Sequence, residues 1–334
     1  MDNQLKKNLG KKIVGTLAIP AIAAAVLLTL CAVGGKTMIA NRVSLNNFVV
    51  YTAVVMITTT ALSINLNSGR FDFSLGAMAI LSAVISSRIT YAITAGTGNA
   101  FLMLMLGIVI GAAIGFCSGA LYVTLRIPPI IASLGVTLIL EGITFTITEG
   151  RYVMTEVQNG SMAAFGGNWY FPLMIIIAVL AVTIFLFDHT RFGYNYRALK
   201  DGQKVAVETG IREIPNALAC YAVCGALMGI VGFLNAVRNT NINGGSLNFG
   251  SISIMFTAFL PMFIGGYISR FANEKIGFLL AALCMSMLNS TFAAFANEIT
   301  ASMQSIINAV LLVLFLIYLS NEYRIKAFLR PIRK

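Results

Sequence analysis

The sequence predicts an all-α, polytopic membrane protein of about ten transmembrane helices, on two observations of composition and one of charge. Only 10% of the 334 residues are charged and 58% are hydrophobic, against roughly 25% charged in soluble domains, and the mean hydropathy is +0.85. The apolar residues are also gathered into runs of about 20, the length at which a helix crosses hydrocarbon with its backbone groups paired internally. The third observation is where the basic residues fall.

In chain order the runs occupy residues 13–34, 47–66, 73–94, 101–124, 129–148, 170–187, 217–237, 251–270, 276–297 and 303–320. The first follows MDNQLKKNLGKK and is too long for a signal-peptide core of about 7–15 residues, so it is expected to stay as the first span. The eighth is interrupted by Pro261, Gly265 and Gly266. The expected organisation is a single transmembrane domain over 1–334. It has a cytoplasmic tail 1–12, a first half 13–148, an external loop 149–169, a second half 170–320 with a long cytoplasmic loop 188–216, and a tail 321–334.

With the N-terminus in the cytoplasm, eighteen of the 23 Lys and Arg fall on the inner side, Arg70, Arg126, Arg212, Arg270 and Lys275 among them. Lys36, Arg42, Arg151 and Arg238 fall outside, and Arg88 lies within a helix, where it can snorkel to the outer face. This bias predicts an even number of spans with both termini inside. The formal net charge of +11 is then a topology signal rather than a nucleic-acid footprint.

The stretch GRFDFSLGA from Gly69 has an echo in GSLNFGSIS from Gly245, which aligns Phe71 with Leu247, Asp72 with Asn248 and Phe73 with Phe249. Each copy precedes an apolar run, the third and the eighth. An offset of five spans places the copies on opposite sides of the membrane, the pattern of an inverted-topology 5+5 repeat whose broken helices hold a solute path. The polar patch at 65–74 is read as the point where the chain re-enters the membrane. Asp72, Phe73, Asn248 and Phe249 are therefore candidate pathway residues. Asn65, Asn67, Asn235 and Asn289 join them as intramembrane amides able to meet a hydroxylated solute or to join helices. Glu141, central in the fifth run, lines a cavity where it meets a polar solute, pairs structurally or sits near the rim.

Other patterns point away from chemistry. The five cysteines, Cys220 and Cys224 included, lie in apolar runs with no His cluster beside them and read as small hydrophobes. GGKT at residues 34–37 has Leu30 where a phosphate loop needs Gly. The single His189 sits in a loop, so no hydrolytic constellation forms and the chain reads as a non-enzyme. Gly107, Gly111, Gly115 and Gly119 make a close-packing helix face.

Four segments resemble one family, the membrane permeases of bacterial ABC importers for simple sugars of the ribose, xylose and galactose type, which also includes autoinducer and nucleoside permeases. SGRFDFSLGAM resembles the family's Gly-Gly-Ile-Asp-Leu-Ser-Val-Gly signature at Asp72, Ser74 and Gly76, and IIASLGVTLILEGI resembles its Ala-Thr-Leu-Gly helix at Leu134, Gly135 and Gly142. FGYNYRALKDGQKVAVETGI is similar to the family's cytoplasmic loop at Phe192, Gly193, Ala198, Ala206, Gly210 and Ile211, and the segment at Gly265 and Gly266 resembles a Gly-Gly motif. The chain departs from the family at Arg70, where Gly is usual, at Glu141, where many relatives have Arg, and at SRFANEK, which replaces a Gly-rich loop.

The resemblance implies a permease subunit in the bacterial inner membrane that works by alternating access. Its pathway would form with a second copy or a homologous permease. A two-lobed ATPase that holds ATP and Mg, which this chain does not bind, would dock on the loop through Lys200, Lys204, Ala206, Glu208, Gly210 and Ile211. An extracytoplasmic binding protein would deliver the solute: a simple sugar, or alternatively a nucleoside or autoinducer. From other classes, an ion-coupled secondary transporter using Glu141 or Asp72, and a channel, remain open.

Overall fold

The computed structural model describes residues 2–154 and 165–329. Part of the expected external loop, 155–164, and the last five residues of the expected C-terminal tail lie outside the described residues. The described chain is helical apart from two short strands. Nine described helices have the length and hydropathy to cross a membrane: Lys12–Val33 within α1 (Asp2–Val33), α2 (Arg42–Asn67), α3 (Leu75–Ile93), α4 (Ala100–Leu125), α5 (Pro129–Thr148), α6 (Tyr170–Asp188), α8 (Glu213–Asn239), α11 (Glu274–Ala294) and Ala301–Asn321 within α12 (Ala301–Leu329). α7 (Arg191–Glu208) forms most of the long loop after α6.

The eighth expected span differs. It is broken into α9 (Ile252–Phe256) and α10 (Phe259–Ile268), and the break precedes Pro261 rather than following from it. Pro261 sits in the first turn of α10, where its missing N–H has no intrahelical partner to lose.

By contacts the chain forms two compact units. In Ile39–Ala258, every residue from 52 to 65 of α2 is buried, as expected of a helix apolar all round. Two of its hydroxyls are satisfied close by: Thr58 and Thr60 donate to the carbonyls of Val54 and Met56. Asn41 and Ser44 close a reciprocal capping box at its start. The closest helix pair is α4 against α8. A Cβ on Gly111 would meet the Gly225 carbonyl, one on Gly115 the Tyr221 carbonyl, and one on Gly229 the Gly107 carbonyl. The glycine stripe is thus a backbone-to-backbone contact, as small-residue faces in membranes are. Cys220 and Cys224 lie on the buried side of α8, with their thiols toward Asn216 Oδ1 and the Ala61 carbonyl.

Strand β1 (Tyr152–Met154) pairs antiparallel with β2 (Asn241–Asn243), Val153 opposite Ile242. This ties the chain after α5 to the chain leaving α8. The second unit, Met1–Met38 with Phe259–Lys334, packs α1 and α10 on α11, and α10 on α12. There a Cβ on Gly265 would press on the Phe278 ring at 2.5 Å and on the Gly277 backbone at 3.0 Å.

Candidate functional site

A cavity of about 470 Å³ opens between α3, α8, β1, β2 and residues 246–254, within the roughly 300–1,000 Å³ usual for small-ligand sites. Asn235 and Asn239 reach it from α8, Asn241 and Asn243 from β2, and Ser246, Ser251 and Ser253 from the segment after β2. Tyr152 supplies a phenol, while Ala79, Ile80, Ala83, Gly232 and Ala236 give an apolar wall. Among the described residues, the lining carries no Asp, Glu, Lys, Arg or His. Amides and hydroxyls beside small apolar surfaces suit an uncharged hydroxylated solute, since a buried charge needs a counter-charge. Thr240, at φ 55°, lets the chain turn from α8 directly into β2 and bring four asparagines to one wall.

Two interrupted segments flank this region and solve the same problem. A helix that begins in apolar surroundings leaves its first N–H groups without partners. In residues 68–74, Gly69 turns the chain at φ +73°, and Asp72, 1% exposed, places its carboxyl at the start of α3. Asp72 Oδ1 accepts the Ser74 N–H at 2.9 Å and hydroxyl at 2.6 Å, and Oδ2 accepts the Asn65 amide at 3.2 Å.

In residues 245–251 the acceptor comes from another helix. Glu141, 2% exposed on α5, accepts the Phe249 N–H at 3.0 Å on Oε2, and the Ser251 N–H at 2.9 Å and hydroxyl at 2.5 Å on Oε1. Asn248 and Phe249 are consecutive left-handed residues, φ 56° and 67°, a conformation costly for a bulky side chain. The Glu141 contacts hold it. The two segments meet directly: a Cβ on Gly76 would collide with the Ser251 carbonyl, and the Phe73 and Phe256 rings lie 6.4 Å apart.

Among the sequence-predicted pathway residues, Asn235 lines the cavity. Asn65 and Asp72 form the buried cluster before α3, and Phe73 stacks edge-on with Phe71. Asn67 is half-buried in the last turn of α2. Glu141 does not line the cavity but fixes one of its walls. Asn248 and Phe249 are exposed shapers of the turn, and Asn289 lies on α11 in the other unit. Sequence reading passed over Asn239, Asn241, Asn243, Ser246 and Ser253. The run NTNING, dense in amides between two apolar stretches, was the available signal.

The loop 188–216 is built on α7, which leaves helical geometry at Gly202 and resumes to Glu208. Lys200, Lys204 and Glu208 are exposed, while Ala206 turns inward at 5% exposure. Gly210, at φ +94°, ends the helix, with the Gly210 and Ile211 N–H groups returning to the Val207 and Ala206 carbonyls. The structure adds Val205 and Val207, 65% and 45% exposed, which charge-led reading had missed. Tyr196 holds the loop to the bundle, its hydroxyl donating to the Ile64 carbonyl at 3.1 Å.

Residues 44–316 match the family described as branched-chain amino acid transport system / permease component. The ribose import permease protein RbsC of Escherichia coli strain K12 is 24% identical over 280 residues, covering 81% of this chain and 84% of its own length. The fructose import permease protein FruG of Bifidobacterium longum is 22% identical over 317 residues, 90% of each chain. The autoinducer 2 import system permease protein LsrC of Photorhabdus luminescens is 25% identical over 225 residues, 66% of this chain and 65% of its own. No solved structure matches. With its long apolar helices and a family match over most of its length, the chain belongs to the branched-chain amino acid transport system / permease component family and is a multi-pass inner-membrane permease subunit of an ABC importer.

Proposed function

We propose that this subunit carries a small neutral polyhydroxylated solute, a pentose or hexose, through the cavity at the α3–α8–β2 junction. The observation behind this reading is the lining: four asparagine amides and three serines, with no carboxylate, ammonium, guanidinium or imidazole among the described residues. The names of the ribose and fructose relatives support the same solute class. Among the described residues, a nucleoside would find Tyr152 as the one aromatic ring in the lining for its base, which favours the sugar over the family's nucleoside alternative. The Asp72 and Glu141 carboxyls are engaged by protein donors, which favours an ATP-driven importer over an ion-coupled carrier.

In this reading the solute arrives from an extracytoplasmic binding protein at the β1–β2 side. A two-lobed ATPase, holding ATP and Mg, docks on the exposed helical turn 203–208, and a second permease subunit completes the transporter. Site roles follow from placement. Asn235 and its neighbours on β2 contact the solute, Asp72 positions the start of α3, and Glu141 positions the 245–251 segment; α3 and the chain from Ser246 wall the pathway. The test is uptake of labelled D-ribose, D-fructose and uridine into proteoliposomes holding permease and ATPase, supplied with the binding protein. ATP-dependent uptake of a sugar, reduced about tenfold or more by Asn235→Leu with hydrolysis retained, is the expected result; tenfold corresponds to about 1.4 kcal/mol, one lost polar contact. Uptake driven by an ion gradient without ATP would overturn the reading.

A further inference from the structure

The segment before α3 is tied to the exposed loop by an ion pair at a position where the resemblance leads one to expect glycine. Arg70 is 3% exposed, and its Nη2 lies 3.2 Å from Glu213 Oε1 at the start of α8. The same oxygen accepts the Gln203 side-chain amide at 2.7 Å. Gln203 is the first residue after the Gly202 break, at the root of the exposed turn that carries Lys204, Val205, Val207 and Glu208.

On the inner side, the Arg70 N–H donates to the Asn65 carbonyl at 2.9 Å. The Asn65 amide donates to Asp72, which holds the start of α3. Three α3 residues, Ala79, Ile80 and Ala83, line the cavity. A buried guanidinium is retained at high desolvation cost, and geometry that fixes one partner to another is the use best matched to that cost.

We infer that Arg70 and Glu213 are positioning residues that transmit displacement of the 203–208 turn to α3 and so to the cavity wall. This rests on the proposed docking of an ATPase on that turn. Glu213 acts as the junction because one carboxylate oxygen accepts from both sides. If the turn moves with a docked partner, Gln203 draws Glu213, and the buried Arg70 cannot release it without leaving a charge unpaired in apolar surroundings. The test reads the coupling itself.

The experiment uses the full-length permease in proteoliposomes with its ATPase, with exposed Cys117 replaced (Cys117→Ala) and Ser253→Cys placed in the cavity as a labelling site. A membrane-impermeant maleimide is the probe, and its labelling rate is compared with and without ATP and Mg; no transported solute is needed. In this parent, ATP is expected to change the rate by about fivefold or more, the lower end of usual coupling strengths. Arg70→Gln is expected to reduce that change to less than about twofold while hydrolysis continues. Gln203→Ala, at an exposed position that cannot unfold the core, is expected to do the same and keeps the test valid if Arg70→Gln folds poorly. A Gln203→Ala protein whose labelling responds to ATP like the parent overturns the proposal. A parent that forms no complex with the ATPase overturns the docking reading, and the relay with it, before any Arg70 variant is made.

Discussion

Residues 68–74 and 245–251 look alike in sequence but are held in place by different means. In the first, Asp72 supplies the acceptor for the helix start two residues ahead of it, and Asn65, in the last turn of α2, supports it. In the second, the aligned residue is Asn248, which is exposed, and the acceptor is Glu141, reaching in from α5. The first segment finds its acceptor within its own stretch of chain. The second depends on where α5 sits. A helix start in apolar surroundings needs an acceptor, but the acceptor can be local or distant. When it is distant, the segment is coupled to a second helix.

The largest expected effect breaks the distant arrangement. Glu141→Ala leaves the Phe249 and Ser251 N–H groups without their acceptor and the left-handed pair without support. The cost should be about 2 kcal/mol or more, from two N–H groups left without an acceptor at ~1–3 kcal/mol each, read as a loss of thermal stability in detergent with the 245–258 region becoming protease-sensitive first. Gly76→Ala acts where the two segments touch. Its methyl would meet the Ser251 carbonyl, and an overpacked contact of this kind costs about 1–3 kcal/mol. The variant should be less stable in the same melts, whereas Gly142→Ala, with nothing within 4 Å of the added carbon, should match the parent.

Asp72→Asn makes the first copy match the second at the aligned position. It keeps an acceptor for the Ser74 N–H but sets an amide nitrogen against the Asn65 amide, and should cost about 1 kcal/mol. A larger loss than for Glu141→Ala would show that the local cap is the more important of the two. Asn248→Asp, the converse change, should shift stability by less than about 0.5 kcal/mol, because position 248 is exposed and Asp, like Asn, tolerates the left-handed region. If it instead restored stability to Glu141→Ala, an acceptor at position 248 could replace the distant one.

These differences mark what could be read along the chain. The long apolar runs were legible because hydropathy is additive over about 20 residues, and the helices Ala100–Leu125 and Tyr170–Asp188 end within a few residues of where their runs do. The glycine stripe at Gly107 to Gly119 was legible as a packing face from its fourfold spacing, and its partner on α8 is now visible. The break after Phe256 was not legible. Pro261 drew attention to the wrong turn, because proline is tolerated at a helix start.

The candidate site was legible only in part. Asn235 was found as an intramembrane amide, but Asn239, Asn241 and Asn243 were passed over because they lie at the end of a span, where polar residues are ordinary. Arg70 was noticed as a departure from the family pattern, yet Glu213 is 143 residues away, and nothing local announces such a pair. The same holds for Glu141 and Ser251, 110 residues apart.

The sequence by itself determined that this chain lives in a membrane, where its helices run and which transporter family it resembles, because each of these follows from local composition or from ordered motifs. Tertiary structure alone decided which polar groups face an open cavity and which satisfy the backbone of a distant helix start. A carboxylate or amide has the same local signature in either place. What separates the two roles is whether a donor from elsewhere in the chain lies within about 3 Å, and that is settled when the helices pack.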